Sequence, residues 1–145
     1  MSSVVSATTG SVYGATPVTS RHDEFLDSAR LLLGDAQRQL AAGAGDLAVE
    51  SAYRSALRTA GAVISQSATV AKRKRLPTSA WEKLALTGPR GAYWAENLSK
   101  FSRMRGRVAS GIELHPRVED VERLVGLAAS FYAETAGEAD GVFAA

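Results

Sequence analysis

The strongest concentration of chemically capable side chains in this sequence is cationic. Lys72, Arg73, Lys74 and Arg75 stand side by side, and Lys100, Arg103 and Arg107 recur at spacings of three and four. A run of like charge has two physical readings. One is contact with nucleic-acid phosphates, with an affinity that falls as salt rises; the other is a solvated loop. The three-four spacing of Lys100, Arg103 and Arg107 sets them on one helical face, offset from Phe101 and Met104, where Arg103 and Arg107 are expected to be exposed rather than salt-bridged to Glu119, Asp120 and Glu122. Arg54 and Arg58 lie four apart and either join that surface or, the favoured reading, salt-bridge to Glu119, Asp120 and Glu122. Trp81, Tyr93 and Trp94 offer rings on which bases stack, but Trp81 and Trp94 continue apolar stripes and are expected to pack inside. Glu134 and Glu138 have no evident partner. The segment from Lys72 to Arg107 carries a net charge of +8 and the rest of the chain −6, within an overall +2. Such asymmetry marks an anionic partner, or a basic segment neutralised by an acidic last helix.

Other chemistry is excluded by composition. There is no cysteine, so disulfides, thiolate metal sites and cysteine nucleophiles are absent. With two histidines, His22 and His115, no histidine-rich metal centre can form. No phosphate-binding glycine loop of the GxxxxGK[ST] kind occurs; Gly88-Pro89-Arg90-Gly91 is too short and lacks the lysine. No cofactor is therefore expected. No apolar run approaches membrane-spanning length and no secretory leader is recognisable, so a cytoplasmic protein without membrane contact is expected.

The elements that must position these residues follow from apolar periodicity. With 145 residues, one domain is expected. Residues 1–19 and 137–145 read as flexible tails around a domain of residues 20–136. A first helix spans about 23–42, capped by Ser20, with Phe25, Ala29, Leu32, Leu33, Ala36 and Leu40 on one face. A second starts at Asp46 as N-cap and ends near Gln66. Its Ala48, Ala52, Ala56 and Ala60 form a face that lets a neighbouring backbone come close, or a seam between two copies. Gly61 in this helix implies similar close packing. Pro77 opens a short third helix carrying Trp81 and Leu84. A fourth runs from Pro89 to about Gly111 with Trp94, Leu98, Phe101, Met104 and Val108 as its stripe. A fifth, opened by Pro116, spans about 117–136 with acids in its first turn. No segment alternates like a strand. The fold expected is all-α, a single-domain antiparallel bundle of about five helices.

The order of these segments resembles the HEPN family (higher eukaryotes and prokaryotes nucleotide-binding), in an actinobacterial branch. The resemblance is carried by Ser-Ala-Tyr-Arg-Ser-Ala-Leu-Arg-Thr-Ala-Gly-Ala-Val-Ile at 51–64, the basic loop after it and Ser-Ala-Trp-Glu-Lys-Leu at 79–84. Trp-Ala-Glu-Asn-Leu at 94–98, Arg-Met-Arg-Gly-Arg-Val-Ala-Ser-Gly-Ile at 103–112 and the acidic start of the last helix complete it. It implies a helical bundle, often a homodimer, that binds nucleotides or RNA. Active members of the family are metal-independent ribonucleases with an arginine shortly ahead of a histidine. The histidine moves the proton of an RNA 2′-hydroxyl and the arginine stabilises phosphate charge. This chain departs from that motif. Its nearest pair is Arg107 and His115, with seven residues between them and with Gly111 and Pro116 placing the histidine in a turn. Three functions follow as expectations. The first is a non-catalytic module contacting RNA, DNA or a nucleotide through Lys72–Arg75, Lys100, Arg103 and Arg107. The second is a protein–protein adaptor in a DNA- or RNA-processing complex, and the third a degenerate ribonuclease using Arg107 and His115.

Overall fold

A computed structural model describes residues 20–144, with side chains described as far as residue 137. The expected tail at residues 1–19 lies outside the described residues. Within them, seven helices and no strand are found: α1 Arg21–Ala41, α2 Gly45–Ser65, α3 Ala68–Ala71, α4 Ala80–Ala85, α5 Pro89–Ser99, α6 Ser102–Ala109 and α7 Val118–Ala144. The fold is all-α, as the periodicity requires.

α1 and α2 form an antiparallel hairpin. Ser20 caps α1 by accepting from the Asp23 backbone N–H at 3.2 Å, and Asp23 and Glu24 favour its positive end. The helix ends in a Schellman turn. Gly43 takes a left-handed φ of +78°, the Ala44 N–H bonds to Gln39 O, and the Gly43 N–H bonds to Leu40 O. α2 then begins two residues earlier than expected, with Ala44 in place of Asp46 at the cap position. Asp46 sits inside the first turn instead of capping it, and the cap position, Ala44, has no side chain able to bond.

α2 is the centre of the molecule and touches α1, α4, α6 and α7. Ala48, Ala52, Ala56 and Ala60 are fully buried within this one chain, so their face is not available as a seam between copies. The small side chains bring backbones together, and buried polar groups exploit the closeness. Ser55 donates to the Ala29 carbonyl at 2.8 Å and Ser51 to Gln39 Oε1 at 2.7 Å, which ties α1 to α2. Gly61 completes the contact: a Cβ there would stand 2.7 Å from Phe25 Cε1.

The middle of the chain is more broken than its periodicity suggests. Ser67 caps the one-turn α3, Lys72 follows directly, and α4 is capped by Ser79, so Pro77 precedes the helix instead of starting it. The expected helix from Pro89 to Gly111 is interrupted at Lys100–Phe101. There the Phe101 N–H bonds to Leu98 O, and Ser102 Oγ occupies the Ser99 carbonyl. Serine hydroxyls bonding to preceding carbonyls compete with the helical ladder. The interruption still leaves Trp94, Leu98, Phe101 and Met104 in the core. α7 then returns antiparallel to α5, with Trp94 stacked on Phe131 at a centroid distance of 5.0 Å. It runs past the expected end at Ala136 to Ala144, so residues 137–144 continue the helix.

Candidate functional site

The break between α5 and α6, and the return of α7 beside them, produce a groove of about 420 Å³. Asn97, Lys100, Phe101, Arg103, Met104 and Arg107 form one wall, and Asp120, Arg123 and Leu127 of α7 form the other. Its volume lies within the range of ligand-binding clefts. Phe101 and Met104 are buried and make an apolar floor, while Lys100, Arg103, Arg107 and Arg123 are exposed around it. The three cations expected on one face do line one surface. Arg123 joins them from α7 and was missed because it stands sixteen residues after Arg107 in a helix read as acidic.

Two cross-helix ion pairs fix the walls. Arg105, one residue from the groove, turns the other way and grips Glu50 of α2 with two hydrogen bonds of 2.8 and 2.9 Å. Its guanidinium also lies 5.2 Å from the Tyr53 ring centre. Tyr53 in turn accepts from Trp81 Nε1 at 2.8 Å. The hydrogen bonds from Arg105, helped by its charge and that of Arg54, hold the Glu50 carboxyl below its ordinary value against the opposing effect of burial. The second pair closes α5 onto α7. Arg90 grips Glu134 through Nε at 3.2 Å and Nη2 at 2.6 Å, and Trp94 Nε1 donates to the same carboxylate at 2.9 Å. The Arg90 hydrogen bonds, with Trp94, hold Glu134 below its ordinary value as well, despite partial burial. Glu134 therefore has two partners. Side-chain geometry of Glu138 lies outside the described residues.

The expected ion pairs of Arg54 and Arg58 with Glu119, Asp120 and Glu122 do not form among the described residues. Both arginines are exposed on α2, and the charge pairing between α2 and the basic segment is Arg105 with Glu50 instead. Trp81 and Trp94 are buried and their indole N–H groups are used internally. Tyr93 is partly exposed under the Arg90 guanidinium, 4.6 Å from its ring centre. Lys72, Arg73, Lys74 and Arg75 are all exposed at the start of the link from α3 to α4, and none of them lines the groove.

Arg107 and His115 are not brought into one cavity. Arg107 lines the cationic groove, and its Nε donates to Glu113 at 2.8 Å. His115 lies in the non-helical turn between α6 and α7 and lines a different cleft with Asp46, Leu114, Pro116 and Val118. The cause is the Schellman turn at Gly111, φ +80°, which ends α6 and turns the chain away. Among the described residues no group of three or more acidic or histidine side chains is placed to hold a metal ion.

The described residues form a small all-α domain with a broken basic helix and an open groove lined by cations. Residues 41–136 match the SAV_6107-like HEPN family, and the chain belongs to the HEPN domains, a superfamily of nucleotide-binding and ribonuclease-like folds. No curated protein and no solved structure shows a significant match to it. The matched region begins at the end of α1 and contains both walls of the groove. No helix among the described residues is long and apolar enough to cross a membrane.

Proposed function

We propose that this chain is a non-catalytic HEPN binding module, acting in the cytoplasm, that engages nucleic acid or a nucleotide through the groove between α5–α6 and α7. The observation that carries the reading is the convergence of Lys100, Arg103, Arg107 and Arg123 on one concave surface with an apolar floor. Cations in a cleft raise the local concentration of anions, and releasing the counterions of phosphates supplies affinity. Lys100, Arg103 and Arg123 form no ion pair among the described residues, so their charge is directed to solvent. Lys72–Arg75 form a second, separate cationic surface, exposed before α4 and outside the groove.

The test is a fluorescence-polarisation titration against labelled single-stranded RNA and DNA at low and moderate salt. Saturable, salt-sensitive binding that weakens in Arg103→Glu and Arg123→Glu is expected. Unchanged binding in both variants would place the ligand elsewhere.

A second reading is favoured by a different feature. Ile112, Leu114 and Val118, in and after the α6–α7 turn, are 77%, 64% and 60% exposed. Clustered exposed apolar side chains mark protein contacts, which suits a homodimer or an adaptor. Sedimentation of wild type and of Leu114→Asp separates these outcomes: a dimer that dissociates in the variant supports self-association, and a monomer in both leaves only a foreign partner.

A further inference from the structure

One of the four groove cations is already occupied. Arg107 Nε donates to Glu113 Oε1 at 2.8 Å, with the arginine side chain 49% exposed and the glutamate 28%. The pairing is built by the backbone. Gly111 in its left-handed conformation reverses the chain, and the Ile112 and Glu113 N–H groups both bond to the Arg107 carbonyl, at 3.0 and 3.1 Å. The turn that ends α6 thus delivers a carboxylate to the last cation of the groove. A carboxylate on a guanidinium occupies the position that a phosphate oxygen takes when bound.

We propose that Glu113 is a built-in competitor for the ligand's phosphate at Arg107, so that the groove engages a polynucleotide strand with several consecutive phosphates and discriminates against a mononucleotide. This rests on the groove being the binding surface. Arg103 and Arg107 are four residues apart on α6, about 6 Å along its axis, and Lys100 stands beyond the break that precedes it. A single phosphate reaches one end of that span. A strand whose phosphates are already held at Lys100, Arg103 and Arg123 presents the next one to Arg107 at high effective concentration, and displaces Glu113. The competing pair is solvent-exposed, so its displacement is a modest barrier that a strand overcomes and a lone nucleotide does not.

The experiment compares wild type, Glu113→Gln and Glu113→Asp, whose shorter carboxylate does not reach, with the double variant Glu113→Gln/Arg107→Gln. The probe is a labelled single-stranded 12-mer RNA, with adenosine monophosphate as competitor, across a salt series. Circular dichroism melts confirm that each variant is folded. Glu113→Gln and Glu113→Asp are expected to bind the 12-mer about two- to five-fold more tightly. Their competition by the mononucleotide should become measurable, and the double variant should lose the gain. Wild-type binding with no gain in either single variant, or a gain that persists without Arg107, would overturn the role of Glu113 and leave the groove assignment standing. Absence of binding by every protein would overturn both.

Discussion

At the residue scale, two glycines in helices make opposite predictions from the same chemistry. Gly61 faces the Phe25 ring, and an added Cβ would overlap Cε1, Cδ1 and Cζ. Gly126, in the middle of α7, has nothing within 4 Å of its added Cβ. Overpacking costs about 1–3 kcal/mol, whereas relieving glycine's entropy in a helix gains roughly 0.5–1 kcal/mol. Gly61→Ala should therefore lower the urea midpoint, and Gly126→Ala should raise it. The two carboxylates in cross-helix pairs make a further residue-scale prediction. Glu50 and Glu134 both lie below their ordinary value when folded. The unfolded chain consequently takes up their protons first as pH falls. The stability they contribute is complete above the ordinary glutamate value of about 4.3 and is lost as pH drops through the depressed folded values. Unfolding midpoints measured from pH 7 downward should stay nearly level to about pH 5 and then decline. Glu134→Gln should be less stable at pH 7 and show a shallower decline, because one of the linked groups is gone.

At the scale of elements, the turn between α6 and α7 decides what the basic residues can do. Gly111 holds φ at +80°, which costs any residue with a Cβ about 1–2 kcal/mol. Gly111→Ala should lower stability by that order and accelerate amide exchange at Ile112 and Glu113, whose N–H groups depend on the turn. Amide exchange resolved by NMR reads both effects at once. This turn also shows where the sequence was legible. Gly111 and Pro116 predict a loop around His115, and the structure has one. The apolar spacing of Trp94, Leu98, Phe101 and Met104 predicts a buried stripe, and all four are buried. The interruption within that stripe was not legible, because the periodicity continues across Lys100–Phe101 while the backbone does not. Its signal was chemical: Ser99 and Ser102 can each bond to a carbonyl three residues back, and both do. The starts of α2 and α4 were displaced for a related reason. Asp46 and Pro77 are permissive helix openers, but Gly43 and Ser79 fix the turns that set the register. Of the candidate site, Lys100, Arg103 and Arg107 could be grouped by spacing alone. Arg123 and Glu113 could not, since their approach depends on how α7 returns.

At the scale of the whole molecule, charge separation is resolved locally as well as globally. Among the described residues the acidic first turn of α7 makes no ion pair with the basic segment, although its Asp120 lines the groove; the segment is partly neutralised by Glu50, by Glu113 and, from the last helix, by Glu134, which take Arg105, Arg107 and Arg90. Apart from Lys83, which lines a cleft with Phe25 and Gly61, the unpaired cations of the segment fall on two separate surfaces, the groove and the run at 72–75. Salt dependence distinguishes which of them a strand uses. For single strands the slope of log affinity against log salt is about −0.7 for each phosphate neutralised. A ligand held only in the groove neutralises about three or four phosphates, giving a slope of about −2 to −3. A ligand that also crosses the exposed run would approach twice that. Replacing Lys72, Arg73, Lys74 and Arg75 together by glutamine is expected to leave the slope within about half a unit of wild type. Replacing Arg103 and Arg123 by glutamine should reduce its magnitude by about 1.4, one increment for each lost contact. If the four-residue change flattened the slope and the groove change did not, the binding surface would be the loop before α4, and the groove would serve another ligand. Fluorescence polarisation at four or more salt concentrations is sufficient to separate these slopes.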